Sequence, residues 1–334
     1  MFNLNTPEIK FALETVRQAA LLVRSIQTEL VTASITKEDR SPVTIADFAS
    51  QALVAAMLEQ SFPNDLLVAE EDSSTLRQPA SSQILTSICT FLKPVLPQTT
   101  PERLCTWIDR GQASPGHRFW TLDPIDGTKG FLRGDQYAVA LALLVDGKVH
   151  IGVLGCPRLA PSAQASDNGD GSLVIAVQGE GTWVTSLQQP GNFTRLHASS
   201  QSDFRQARLL RSFESGHTNV SQIDTFVETL HIQAPPVRMD SQAKYVLLAA
   251  GKGDLLLRLL TPSKPDYREK IWDQAAGSLV IEEAGGRITD LRGHPLNFQT
   301  GRSLLDNRGI LASNGILHPL ALQALKEISA VPEN

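Results

Sequence analysis

In the stretch FWTLDPIDGTKGF, residues 119–131, an apolar run climbs to Asp123, meets Pro124, and then delivers Asp126, Gly127, Thr128 and Lys129. Proline donates no backbone hydrogen bond and is excluded from central strands, so a strand is expected to end at Asp123 and turn. A turn lets two carboxylates three residues apart converge, and the Ile125 carbonyl can point the same way. Hard oxygen donors on a turn suit a Mg2+ site. Gly127 permits close backbone approach, and Thr128 can open a helix. The competing explanation for Asp123 and Asp126 is an Asp-capped turn with no ligand at all. Lys129 has no role that the residues define.

Three other stretches bear on that choice. DLLVAEED places Glu70, Glu71 and Asp72 at the end of an apolar run. KIWDQAAG places Asp273 at a helix start, directly after a bulky apolar residue, and SPVTIADF sets Asp47 in a segment otherwise suited to burial. Singly, Asp273 reads as an N-cap and Glu70 to Asp72 as a solvated turn. Jointly, several acids end apolar runs, where strand mouths open into a crevice. Like charges about 4 Å apart repel by roughly 4 kcal/mol at an effective dielectric near 20, and divalent cations relieve this. Convergence itself does not follow from the sequence.

The 334 residues exceed one typical core, so two domains or one large layered domain is expected. A hydrophobic content of 42% supports a packed interior, and 19% charged residues argues against disorder. Thirty basic against 35 acidic residues, a net charge of −5, speaks against nucleic-acid or anionic-membrane binding. MFNLNTPEIK lacks a basic segment followed by an apolar one, and no stretch reaches membrane-spanning length, so a cytoplasmic protein is expected. Cys89, Cys105 and Cys156 have no metal-ligand spacing and read as buried, reduced thiols.

A first helix is signalled by Thr6 as N-cap and Pro7, followed by Ile9, Leu13, Val16, Ala20 and Val23 on one face. A second spans TIADFASQALVAAMLEQSF, and residues 73–118 read as surface helices and loops. From 136, QYAVALALLV-DG-KVHIGVLGC predicts a hairpin, and SLVIAVQGEGTWVTSL predicts another with Gly179 and Gly181 at its turn. These imply an antiparallel sheet flanked by the two early helices. Beyond about residue 200, strand and helix patterns alternate, which predicts an α/β half with a mixed sheet. Gly285 and Gly286 are placed to end a helix. The expected division is residues 1–196 and 197–334.

Taken in order and spacing, VAEED, WTLDPIDGTKGF and KIWDQAAGSLVIEEAGG resemble the lithium-sensitive, magnesium-dependent phosphatases of the inositol monophosphatase superfamily. SPVT, VLGCP, MDSQAKYVLLAAGKGD and YREKIWD are similar to its 3′(2′),5′-bisphosphate nucleotidases. The resemblance runs from about residue 5 to 317 and implies a layered α-β-α-β-α fold, α+β in the first half and α/β in the second. It implies two to three Mg2+ ions: Glu70, Asp123 and the Ile125 carbonyl on one, Asp123, Asp126 and Asp273 on another, and Glu70 on a third. Asp47 and Thr128 would form the pair that orients and deprotonates water. His217, Asp240, Ser241, Lys244 and Arg258 match substrate positions; Thr128 and Asp273 would border the substrate too, as would Tyr267 and Lys270. Where the family writes GEE, this chain has Ala69.

The resemblance implies hydrolysis of adenosine 3′,5′-bisphosphate, and potentially of 3′-phosphoadenylyl sulfate, by a monomer or weak homo-oligomer. Lys and Arg suit the phosphate that is not cleaved. A haloacid-dehalogenase phosphatase needs aspartates two apart, whereas Asp123 and Asp126 are three apart around proline. The alternatives kept are an inositol mono- or polyphosphate phosphatase and a catalytically silent nucleotide sensor.

Overall fold

The computed structural model describes residues 5–31, 41–163, 170–213 and 218–331. His217 therefore lies outside the described residues. The chain opens with α1 (Pro7–Ile26) and α2 (Ser41–Ser61), then β1 (Leu66–Ala69), α3 (Ser82–Leu92), α4 (Pro101–Asp109), β2 (Arg118–Asp126) and α5 (Thr128–Arg133). Antiparallel strands follow: β3 (Ala138–Val145), β4 (Lys148–Cys156), β5 (Ser172–Val177), β6 (Gly181–Ser186) and β7 (Thr194–Arg195). The remainder is β8 (Leu209–Arg211), α6 (Val220–Thr229), β9 (Val237–Arg238), α7 (Ala243–Ala249) and β10 (Leu255–Arg258). It closes with α8 (Ala275–Glu283), β11 (Arg287–Thr289), β12 (Ile310–Ser313) and α9 (His318–Glu327).

The first seven strands form one sheet in sequence order, and the last five form a second in the order β11-β12-β10-β8-β9. Among the described residues, three apolar cores hold five layers together. One joins α1 and α2 to the outer face of the first sheet through Val16, Val23, Leu53, Leu141 and Val153. The second lies between the sheets, where Tyr245, Val246, Ala276 and Val280 of α7 and α8 meet Ala140, Leu154, Val174 and Leu256. The third buries Phe226, Leu257, Leu311 and Leu325 beneath α6 and α9. The layering is α-β-α-β-α, as the resemblance implies.

Local expectations fare well where chemistry is local. The Thr6 hydroxyl accepts from the Ile9 amide at the start of α1. Asp146 and Gly147 have φ of 51° and 73°, the two positive values that a type I′ hairpin turn requires. Gly285, with φ of 89°, follows α8. Cys89, Cys105 and Cys156 are buried and unpaired.

Three expectations need correction. The first sheet is mixed, because β1 runs parallel to β2. Nor does β2 stop at Asp123: it continues through Pro124 to Asp126, with a register shift against β3 between Asp123 and Asp126. Pro124 is tolerated because β1 has already ended opposite Leu122, so no neighbour on that side needs its missing donor. Residues 73–118 also hold more core than a surface reading allows, since Ile88, Leu92, Leu104 and Trp107 of α3 and α4 are buried in the first core.

Candidate active site

In the parallel register, Ala69 pairs with Leu122, so the following residues, Glu70 and Asp123, leave the ladder side by side. The bulge then carries Asp126 to the same lip. From behind, α2 presents Asp47, Ser50 and Gln51 at helical spacing, so the three share one face. The Ser50 hydroxyl donates to the Pro124 carbonyl at 3.1 Å. The Gln51 amide accepts from Glu71 N at 3.0 Å and donates to Glu71 O and Ile108 O at 2.6 and 2.8 Å. Thus one helix fixes both acidic turns through main-chain atoms.

The second half closes over this lip. The Gln242 amide N–H donates to Asp126 Oδ2 at 2.5 Å, and its side chain donates to Trp272 O at 3.1 Å and accepts from Gly277 N at 3.0 Å. This ties Asp126 to the turn that bears Asp273. The helix starts at Ala275 with Gln274 before it, so Asp273 lies in the preceding turn and is not the N-cap. Gly127, with φ of 91°, passes so close to the Ser241 loop that a Cβ would lie 2.8 Å from Ser241 Cβ. Ser241 itself holds a positive φ of 63°.

The acids sense one another. Burial raises Asp123 well above the usual carboxylate range, and Glu70, Asp126, Asp273 and Asp47 add to the rise. Asp47 is likewise held well above that range by burial, reinforced by Glu71 and Glu70. Glu70, accessible within the crevice, is pushed up to about 7 by the protein around it and by Glu71 and Asp126, against the pull of Lys270. Burial raises Asp126, with Lys244 and Arg258 opposing; burial also raises Asp273 well above its ordinary value, with Arg258 opposing. Among the described residues, no cluster of His, Cys, Asp or Glu groups has the spacing of a ready-made ion cage. Yet the donor set is all oxygen and anionic, the chemistry that hard divalent cations take.

Facing the acids are two cations. Lys244 donates to the Ser212 hydroxyl at 2.7 Å, and burial lowers its pKa to about 8 despite Asp126. Arg258 pairs with Glu269 at 3.0 Å and stands 4.0 Å from Asp273; Glu269 and Asp273 raise its pKa against the effect of burial. The Tyr245 hydroxyl donates to Gln274, which donates to Glu269, extending this network. Alongside lies a pocket of about 180 Å³ lined by Arg258, Lys264, Tyr267 and Glu269, among others.

Other expected site residues sit differently. Thr128 is exposed at the start of α5 and makes no hydrogen bond to Asp47. The carboxylate of Asp240 is engaged by Arg133 and by the Phe213 amide. Lys270 reaches the Ser303 hydroxyl at 3.3 Å. Ser50, Gln51 and Gln242 escape sequence reasoning because each of their bonds uses a backbone atom, which every residue carries.

A sequence profile described as the inositol monophosphatase family matches residues 4–330. A 3′(2′),5′-bisphosphate nucleotidase of Oryza sativa is 42% identical, over 96% of this chain and 94% of its own. One of Emericella nidulans is 38% identical over 94% and 96%. Among solved structures, the Thermotoga maritima IMPase superposes with a TM-score of 0.62 at 19% identity, over 97% of this chain and 98% of that one. CysQ from Bacteroides thetaiotaomicron gives 0.62 at 18% identity, over 93% and 98%. Five layers, an acidic lip built from both halves and full-length sequence matches agree: the chain belongs to the inositol monophosphatase family.

Proposed function

We propose that the chain is a Mg2+-dependent 3′(2′),5′-bisphosphate nucleotidase that hydrolyses adenosine 3′,5′-bisphosphate to AMP and phosphate. Its action on 3′-phosphoadenylyl sulfate would give adenylyl sulfate by the same bond cleavage. The observation that carries the reading is the apposition of Glu70, Asp123, Asp126 and Asp273 with the half-buried cations Lys244 and Arg258, in a relative of enzymes bearing that name.

In this reading Glu70, Asp123, Asp126, Asp273 and the Ile125 carbonyl hold two to three Mg2+ ions. When bound, magnesium supplies Lewis-acid polarisation of the phosphoryl group and acidifies water. The residues do the rest. Asp47, buried and with a high proton affinity, accepts the proton of the attacking water, and Thr128 aims that water. The water oxygen bonds to phosphorus as the ester bond to the 3′ oxygen breaks, and that oxygen leaves with a proton taken from solvent water. Lys244 and Arg258 meet the phosphate that is not cleaved, and Ser241 lines its approach. His217 belongs to the same substrate assignment. The pocket beside Tyr267 receives part of the nucleoside.

The division of labour follows the sheets: residues 1–196 supply most of the acids, and residues 197–334 supply the nucleotide contacts and Asp273. No described helix is long and apolar enough to cross a membrane. A cytoplasmic monomer or weak homo-oligomer acting on a small nucleotide fits this design. The test is phosphate release, with and without Mg2+, from adenosine 3′,5′-bisphosphate, 3′-phosphoadenylyl sulfate, inositol 1-phosphate and inositol 1,4-bisphosphate. The adenosine bisphosphate should turn over fastest and only with Mg2+. Faster hydrolysis of either inositol phosphate overturns the substrate assignment.

A further inference from the structure

Arg302 lies on the long loop between β11 and β12, remote in sequence from every acid of the site except Asp273. Its main chain pairs with the segment leading into Asp273: Arg302 O accepts from Ile271 N at 3.2 Å, and Glu269 O accepts from Leu304 N at 2.9 Å. Lys270 and Ser303 form an isolated antiparallel bridge between them. The side chain points the other way along the crevice. Its Nη1 donates to Gly111 O at 2.9 Å and Ala113 O at 3.3 Å, and its Nη2 donates to Ala69 O. The guanidinium carbon sits 4.9 Å from the centroid of the Trp272 ring.

One residue is thus bonded or stacked to the immediate neighbour of Glu70 and the immediate neighbour of Asp273. We propose that Arg302 is a positioning residue: it fixes the spacing between the Glu70 end of β1 and the Asp273 turn, and so sets the site's affinity for divalent cations. The proposal rests on the metal reading given above.

Three features favour this over a general stabilising role. The carbonyls held are those of the outer edge of β1, where Ala69 N already donates to Gly111 O at 2.8 Å, so the guanidinium grips an existing pair at the point where Glu70 emerges. The fork is planar, which lets it serve several carbonyls while lying against Trp272; an ammonium provides a point charge without that plane. Finally, the like-charged carboxylates repel, and something must hold their two supporting segments at a set distance. Gln242 does this for Asp126 and Asp273; Arg302 is the corresponding link for Glu70 and Asp273.

The test is calorimetric titration of Mg2+ into the parent, Arg302→Lys, Arg302→Met and Asp126→Asn, with thermal melts and steady-state kinetics alongside. Arg302→Lys and Arg302→Met should bind Mg2+ at least about tenfold more weakly, the scale on which residues supporting metal ligands act. At saturating Mg2+ their kcat should return to within about threefold of the parent, because every ligand remains. If the Met variant does not fold, Arg302→Lys and Trp272→Leu carry the test. Mg2+ affinities equal to the parent's overturn the proposal, whether or not the melting temperature falls. A parent that binds no Mg2+ overturns instead the metal reading beneath it.

Discussion

The two lips of the crevice make opposite electrostatic demands. On the first sheet, Asp123 and Asp126 meet Glu70 where β1 and β2 end, and burial raises all three. On the opposite lip, built by α7 and β10, Lys244 is pushed down to about 8 by the same cause, while Arg258 is held charged by Glu269 and Asp273. Desolvation penalises every isolated charge, so each lip is stabilised by what the other side of a substrate complex brings. The acids call for cations and the bases for an anion. A phosphorylated nucleotide with its metals satisfies both at once.

Removing one ligand from the acidic lip should break the comparison most completely. Asp126→Asn should lower kcat at least a thousandfold, about 4 kcal/mol in the barrier, since the amide keeps the shape but not the charge. Circular dichroism and melting should stay near the parent's; retained turnover sinks the acidic lip as the reactive side.

A second, intermediate effect asks whether every buried base of the second half belongs to the crevice. His318 does not: its ring is fully buried, with Nδ1 at 2.9 Å from the Ser313 hydroxyl and Nε2 at 3.0 Å from the Thr289 hydroxyl. Burial, helped by Arg287, pushes its pKa down to about 4. The unfolded ring titrates near 6.5, so the unfolded state binds the proton first. Its contribution to stability is therefore full above about pH 6.5 and is lost as pH falls toward 4, by on the order of 3 kcal/mol. Between pH 7.5 and 4.5 the parent should lose more melting temperature than His318→Gln. Equal losses show that this ring is not held neutral.

The smallest effect sharpens the basic lip. Lys244→Ala should raise KM for adenosine 3′,5′-bisphosphate about tenfold, roughly 1.4 kcal/mol, and change a monophosphate substrate much less. Equal changes for both substrates would remove Lys244 from contact with the second phosphate.

What the sequence made legible was local. Thr6 with Pro7, Asp146 with Gly147, and Asp123 with Asp126 each announce a conformation or a chemistry within a few residues. The α/β character of the second half followed from strand and helix patterns alternating after residue 200, and the five-layer fold from the resemblance. What stayed hidden connects distant segments through main-chain atoms. Gln51 holds Glu71, Gln242 holds Asp126 and Trp272, and Arg302 holds Ala69, yet a glutamine or arginine facing a carbonyl leaves no pattern in the text. Pro124 misled for a related reason. Its neighbour on one side has ended, and only the register of β1 reveals that.

The position of α8, packed between the sheets just after Asp273, has a consequence for biosynthesis. Asp47, Glu70, Asp123 and Asp126 leave the ribosome long before the residues that complete their setting. Gln242, Asp273 and Arg302 arrive only in the last third of the chain, and the core between the sheets cannot close until they do. A nascent or truncated chain consequently carries four acids and no finished site. Activity becomes a late reporter of complete folding, and a chain interrupted before α8 is silent rather than partly active.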